Sequence, residues 1–308
     1  MKTFYSFLPK KIADSILTLS PDEREQLEEI RIRIGRPLEV SFHDGVRFID
    51  MDMTREDASQ LLNKLSHYSV YTLEEELKRG YITVEGGHRV GLAGKVILED
   101  SAVKAIRDVA SFNIRIAKEK IGAAETFAPF LYNGSRWLHT MIIGPPQTGK
   151  TTILRDIARI ISTGSSKARI GPLKVGIVDE RSEIAGCMDG IPQMTFGTRL
   201  DVLDSCPKAE GMMMMIRSMS PDVLVVDEVG RKEDGEAILE AVNAGIQLMM
   251  TTHGTSFEEI KNRPTLKPII ETGIFERYIE LSRANGPGTV SAIKDGQGRT
   301  LVREMKVM

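Results

Sequence analysis

The chain has 308 residues, 41% of them hydrophobic and 27% charged, proportions that exclude a disordered or fibrous protein and favour two globular domains at this length. Its 41 Lys+Arg against 43 Asp+Glu leave a formal net charge of -2, so no global basic field draws it to nucleic acid or anionic lipid, local patches aside. No uninterrupted apolar stretch is long enough to span a bilayer. The start of the chain, Met1 to Leu8 and then Pro9, is too short and too soon broken to read as a signal peptide, so a cytoplasmic protein is expected, with any membrane work done through a protein partner. Its two cysteines, Cys187 and Cys206, are too few for a disulfide framework or a four-thiolate zinc module and are expected to be free thiols.

In chain order, Ser20-Pro21-Asp22-Glu23 supplies an N-cap, a proline at the first helical position and a capping-box glutamate, which predicts a helix through Leu27. Ile30, Ile32 and Ile34 then alternate with Arg31 and Arg33, the pattern of a half-buried strand with its arginines on the solvated face. Leu38–Phe42 and Val46–Ile49 flank His43-Asp44-Gly45, a hairpin signal. Ala58, Leu61, Leu62, Leu65 and Tyr68 form a helical stripe, and Thr72 with Glu75 opens a short helix ending at Gly80. Tyr81–Glu85 and Arg89–Val96 bracket a Gly86-Gly87-His88 turn, the glycines at 86, 87, 91 and 94 mark turns and bulges or, alternatively, a close backbone approach to a ligand, and Ser111–Ala117 is a last strand. Lys118–Glu125 is the expected linker, giving an N-terminal α+β domain over 1–125 and a second domain over 126–308.

The second half carries the chemistry. Trp137–Ile143 is an apolar run that ends in Gly144-Pro145-Pro146-Gln147-Thr148-Gly149-Lys150-Thr151-Thr152, and an amphipathic helix follows through Ile153, Leu154, Ile157, Ile160 and Ile161. This is the strand, G-x-x-x-x-G-K-[ST] loop and helix of a nucleotide-binding P-loop. Backbone N–H groups converge on the phosphates, the helix N-terminus adds its positive end, Lys150 reaches the β- and γ-phosphates, and Thr151 offers its hydroxyl to Mg²⁺. Val175–Val178 leads into Asp179-Glu180-Arg181-Ser182-Glu183, and Val223–Val226 into Asp227-Glu228, as in a parallel sheet whose ligands gather at the strands' C-terminal ends. The second is a Walker B segment: Asp227 would hold Mg²⁺ through water, and Glu228 would orient and deprotonate the attacking water. Between these strands, Met212–Met215 reads as core helix. Downstream of a predicted helix over 233–244, Gln247–Gly254 ends in Thr251-Thr252-His253, where Thr252 and His253 are placed to meet the γ-phosphate or its water. Strands near Arg277–Ser282, Thr289–Lys294 and Thr300–Val307 are expected to close the domain in antiparallel fashion.

These boxes, Val178-Asp179-Glu180-Arg181-Ser182-Glu183, Pro221-Asp222-Val223-Leu224-Val225-Val226-Asp227-Glu228 and Thr251-Thr252-His253 after the P-loop, stand in the order of the Walker A, Asp, Walker B and His boxes of type II/type IV secretion ATPases. The chain resembles that family, and within it the sporulation stage III branch. The narrower likeness rests on Glu29-Ile30-Arg31-Ile32-Arg33, Tyr71-Thr72-Leu73-Glu74-Glu75-Glu76-Leu77, Gly86-Gly87-His88-Arg89-Val90-Gly91-Leu92-Ala93-Gly94 and Asn113-Ile114-Arg115-Ile116. The resemblance covers nearly the whole chain. It implies an α/β fold, with a RecA-like P-loop NTPase core and a smaller N-terminal α+β domain. It further implies an ATPase that uses ATP and Mg²⁺, assembles as a homo-oligomeric hexamer, and works in the cytoplasm of the mother cell. There it would sit beneath a membrane-embedded secretion-channel component that links mother cell and forespore.

Two departures stand out. Many secretion ATPases have Gly-Glu where this chain has Asp227-Glu228, and there an Asp-box glutamate serves as base, which makes Glu180 a rival to Glu228. The tetracysteine zinc module of some members is absent. Arg89 and Arg115, inside the matching N-terminal strings, are candidates for the arginine that stabilises charge on the transferring phosphoryl group; an interdomain salt bridge is the alternative for either. Two other functions fit the same core: a nucleic-acid-stimulated motor, against which the balanced charge speaks, and a slow-hydrolysing assembly scaffold.

Overall fold

The computed structural model describes residues 4–66, 74–99, 102–165 and 170–305. Tyr68, Thr72 and Val307, to which the sequence assigns places in secondary structure, lie outside the described residues. The chain divides into two compact units, Met1–Lys118 with Gly186–Asp189, and Glu119–Ala185 with Gly190–Met308.

The first unit is built on a six-stranded sheet in the order β3-β2-β1-β6-β5-β4, with β1 Glu29–Arg33, β2 Pro37–Phe42, β3 Gly45–Asp52, β4 Tyr81–Val84, β5 His88–Glu99 and β6 Ala102–Arg115. Strict alternation explains its two faces. Ile30, Ile32, Leu38 and Val40 are fully buried, each stabilising the fold by roughly 1.5–3 kcal/mol on transfer arguments. They share a core with Ile12 and Ile16 of α1 (Lys10–Leu17), Ala58, Leu61 and Leu65 of α3 (Arg55–Leu65) and Leu77 of α4 (Glu74–Arg79). On the opposite face Arg31 pairs with Glu29 at 3.0 Å and Arg33 with Glu39 at 2.5 Å, so this arginine pair is neutralised within its own sheet. Ser20 and Thr54 close capping boxes on α2 (Pro21–Gln26) and α3. Strands β5 and β6 run on as a long hairpin to the Glu99↔Ala102 pair, well beyond the Val96 and Ser111 limits expected from the sequence. There Val96, Leu98 and Val103 are exposed, while Val109 is buried and Ala105 and Ile106 only partly so, so the end of the ladder lacks the clean alternation that marks a strand with one buried face. The bulge expected at Gly94 is present, whereas Gly91 pairs regularly with Asn113; a Cβ on Gly94 would lie 2.6 Å from the Asp108 carbonyl oxygen.

The second unit holds an eight-stranded sheet in the order β14-β13-β12-β7-β11-β10-β8-β9. Its strands are β7 Thr140–Gly144, β8 Val175–Asp179, β9 Leu200–Asp204, β10 Val223–Val226, β11 Gln247–His253, β12 Arg277–Ser282, β13 Thr289–Asp295 and β14 Thr300–Met305. From β12 to β9 every pairing is parallel. The β12–β13 and β13–β14 pairings are antiparallel, the closure expected from the sequence, and β12 in addition extends the parallel core beside β7. Residues of the central strands are buried on both sides, as parallel sheets require. Val223 and Val225 face the core of α5 (Lys150–Thr163), which contributes Ile153, Leu154, Ile157 and Ile161. Leu224 and Val226 face α6 (Lys208–Met219) and α7 (Lys232–Asn243). The methionine run lies on α6 as expected: Met212 and Met215 are buried while Met214 is 47% exposed.

The segment read as a linker is the outer layer of the second unit. Asp156 of α5, 3% exposed, accepts Gly122 N at 3.1 Å, Ala124 N at 2.7 Å and Arg159 Nε at 2.6 Å, and Ala124 is fully buried. The unit therefore starts at Glu119, ahead of the expected boundary at 125. Asp156→Ala strands two backbone donors and a guanidinium; a loss of about 3 kcal/mol is expected in urea unfolding, and a loss under 1 kcal/mol would show that Asp156 is dispensable for this layer.

Candidate functional site

The four parallel strands β7, β11, β10 and β8 deliver their C-terminal ends to one edge of the sheet. From β7 the chain turns through Gly144–Gly149 into α5. Gly149 takes φ +89°, and Gln147, not a glycine, takes φ +61°, a left-handed conformation costing roughly 1 kcal/mol. Thr148 Oγ1 donates to Pro145 O at 2.8 Å, tying the loop to itself. A Cβ on Gly144 would lie 2.4 Å from that hydroxyl, so only glycine fits at the loop's first position.

Lys150, the first residue of α5 and only 5% exposed, donates to Gly144 O at 2.9 Å and Pro145 O at 3.0 Å. Burial pushes its ammonium below the ordinary lysine range, opposed by the charges of Asp227 and Glu228. Its Nζ also lies 3.3 Å from His253 Nδ1, while His253 Nε2 lies 2.8 Å from Glu228 Oε1. A neutral imidazole protonated at Nε2 satisfies both contacts, accepting from lysine and donating to glutamate.

Asp227 is held by two hydroxyls: Thr151 Oγ1 donates to Oδ2 at 2.6 Å and Thr251 Oγ1 donates to Oδ1. Thr251 Oγ1 in turn accepts Glu228 N at 2.8 Å. Glu228 has φ +53°, an outlier for a non-glycine residue that turns its side chain sharply at the strand end. Its carboxylate sits between His253 and Arg181, whose Nη1 is 3.0 Å from Oε2. Thr252, expected to face the γ-phosphate, is 1% exposed and donates to Val229 O at 2.9 Å; period-2 alternation turns Thr251 toward the site instead.

Glu180 bonds Lys208 Nζ and lies 3.8 Å from Arg231 Nη1. Burial pushes its carboxyl up, but the Lys208 hydrogen bond and the charges of Lys208, Arg231 and Arg181 outweigh it and hold the group below the usual range. Asp179 instead shapes the loop after β8, accepting Glu183 N at 2.8 Å and both Ile184 N and Ala185 N at 2.9 Å. Half-buried Arg155 of α5 clasps the same loop, donating to Ile184 O and Glu183 O at 2.6 Å each. Lys208 and Arg155 are not singled out by the sequence, because cations on a helix carry no motif of their own; Arg181 lies inside the Asp box, but its pairing with Glu228 shows only in the fold.

Burial, against the pull of these N–H donors and with help from the Asp204 charge, raises the Asp179 carboxyl to about 6. An acid whose folded value lies above its unfolded value of about 3.9 binds more protons when folded, so its contribution to stability rises as pH falls from above 6 toward 4. Asp179→Asn removes that dependence. The variant's destabilisation relative to wild type, measured by urea unfolding, should therefore be larger at pH 5 than at pH 7; the reverse order would show that Asp179 is ionised in the fold throughout.

Arg89 and Arg115 belong to the first unit, where they are cross-strand partners on β5 and β6. The Arg89 guanidinium lies 3.6 Å from the Tyr81 ring centroid, and Arg115 Nε is 3.7 Å from Glu29 Oε1, an ion pair within the unit.

This strand order, with the phosphate loop at the end of β7 and the carboxylates at the ends of β8 and β10, is a RecA-like P-loop fold. Among solved structures it is shared with the Legionella pneumophila ATPase DotB, at TM-score 0.54 and 17% identity over 88% of this chain and 77% of that one. It is shared as well with the pilus retraction motor PilT with bound ADP, at TM-score 0.58 and 18% identity over 87% and 76%. The family model for sporulation stage III, protein AA matches residues 2–301, and stage III sporulation protein AA of Bacillus subtilis (strain 168) is 55% identical over 303 residues, 98% of each chain. The chain belongs to this sporulation stage III protein AA family.

Proposed function

We propose that this protein is an Mg²⁺-dependent ATP hydrolase that powers or assembles a membrane channel between mother cell and forespore during sporulation. The observation that carries the reading is the convergence of Lys150, His253 and Glu228 in one hydrogen-bonded line beside the Thr151–Asp227 pair. In this reading the loop N–H groups and Lys150 bind the β- and γ-phosphates, with Lys150 exchanging the Gly144 and Pro145 carbonyls for phosphate oxygens. Glu228 accepts the proton of the attacking water, and His253 fixes the orientation of its carboxylate. Glu180 is the weaker base candidate, since Lys208 and Arg231 already engage it.

The oxygen donors suit Mg²⁺: one hydroxyl and one carboxylate, the remaining positions falling to phosphate and water, with Asp227 acting through water. When bound, Mg²⁺ neutralises phosphate charge. Arg89 or Arg115 is proposed to supply the stabilising guanidinium.

A homo-hexamer in the mother-cell cytoplasm, recruited by a membrane-embedded channel component, completes the proposal. The family assignment and the likeness of fold to DotB and PilT support it; no described helix is long and apolar enough to cross a membrane. Phosphate release by the purified protein with and without Mg²⁺, and with and without reconstituted membrane partners, tests it alongside sizing with Mg-ATP at several concentrations. No Mg²⁺-dependent release under any of these conditions rejects the hydrolase, a monomer throughout rejects the ring, and strong stimulation by DNA would favour a nucleic-acid motor.

A further inference from the structure

The turn between β12 and β13, Arg283-Ala284-Asn285-Gly286-Pro287-Gly288, carries no recognised motif, yet it touches the phosphate loop at consecutive residues. Arg283 Nη2 donates to the Gln147 side chain, Oε1, at 2.8 Å, and Gly288 N donates to Thr148 O at 2.8 Å. Contact is close throughout: a Cβ on Gly149 would lie 3.1 Å from Gly288 N, and one on Gly144 would lie 3.2 Å from Leu281 Cβ of β12. The turn is itself pinned by Gly286 N donating to Arg283 O and by Thr289 Oγ1 donating to Gly286 O at 2.8 Å.

Gln147 holds a left-handed backbone at φ +61°, which glycine adopts freely and glutamine does not. The loop therefore needs support from outside itself at this residue, and Arg283 is the side chain that reaches it. We propose that Arg283 is a positioning residue for nucleotide binding: acting through Gln147, it holds the loop in the shape that aims its N–H groups at the phosphates. The idea rests on the P-loop reading above and adds to it a residue outside all four boxes. As an exposed hydrogen bond acting on binding, it should alter affinity by a modest factor and leave the chemical step alone.

The test is a cycle of Arg283→Ala, Arg283→Lys, Gln147→Gly and the Arg283→Ala/Gln147→Gly double variant in the full chain. Affinity is read with a fluorescent ATP analogue and turnover as kcat and KM, while hydrogen exchange of the 144–149 amides is followed without nucleotide. Arg283→Ala should weaken binding roughly 3- to 10-fold, raise KM in parallel, keep kcat within about twofold, and speed exchange in the loop; Arg283→Lys, which retains one donor, should recover part of the loss. Glycine at 147 needs no brace, so the Arg283→Ala effect should vanish in that background.

Persistence of the full loss in the Gln147→Gly background would mean that Arg283 acts directly as a charge on the nucleotide, and the proposal falls. It falls equally if Arg283→Ala leaves both affinity and loop exchange unchanged, or lowers kcat at constant affinity. A wild-type protein that binds no nucleotide would instead sink the functional reading, while the exchange data still decide whether the loop is braced.

Discussion

Replacing Lys150 with alanine is expected to lower ATP affinity by roughly 100-fold or more and to bring phosphate release to background, without unfolding the protein. The affinity term follows from removing a charge-assisted contact in a sheltered site, where such truncations cost about 2–5 kcal/mol. The folding term is small because the two effects of the buried ammonium oppose each other. Lys150 satisfies the carbonyls of Gly144 and Pro145, but its charge is held in a place that disfavours it. Alanine relieves that desolvation as it removes the hydrogen bonds, so urea unfolding should shift by no more than about 1 kcal/mol. Nucleotide titration and denaturation on the same preparation separate the outcomes; an intact Lys150→Ala protein that binds ATP as tightly as wild type would overturn the phosphate-binding role.

The second large effect concerns the base. Glu228→Gln should bind ATP within a few-fold of wild type and lose roughly 10²–10⁴-fold in kcat, because glutamine keeps the size and the acceptor for His253 but cannot take up a proton. Glu180→Gln should lose less than about tenfold, since Lys208 and Arg231 already bind that carboxylate. Single-turnover phosphate release with each variant decides between them, and the opposite ranking would assign the base to Glu180. In sporulating cells, a Glu228→Gln protein that binds ATP yet supports full function would reject hydrolysis as the driving event and leave the scaffold reading.

Much of this site can be read along the chain because its parts are contiguous. The run from Met141 through the phosphate loop into α5, and the apolar residues before Asp179 and Asp227, each place a chemical group at the end of a buried strand, and the strand order β7-β11-β10-β8 then brings those ends together. What escaped has physical reasons. Strand β9 lies at the sheet edge with every residue half-buried, so it has neither the continuous apolar character of a central strand nor clean alternation. Helix α1 did leave a trace, since Ile12, Ala13 and Ile16 share one helical face, but eight residues give that pattern little weight. Thr251 and Thr252 are chemically alike, and only the register of β11 against β7 and β10 shows which one meets Asp227. Lys208 and Arg283 reach the site from a helix start and a turn distant from the boxes in sequence, and Arg181, though inside the Asp box, meets Glu228 only through the strand order; such cations are indistinguishable from solvated ones until the fold is known.

The order of the N-terminal sheet has a bearing on how the chain is made. Strand β1 lies between β2 and β6, and Ile30 pairs with Ile114, so β2 and β3 can join β1 soon after emergence while its other edge waits for roughly 80 further residues. At ribosomal rates of about 5–20 residues per second the wait is roughly 4–16 s. During that interval β1 offers unpaired N–H and C=O groups beside Ile30 and Ile32, the kind of edge on which nascent chains associate with one another. The slower the synthesis between β1 and β6, the longer that edge stays unpaired in the growing polypeptide.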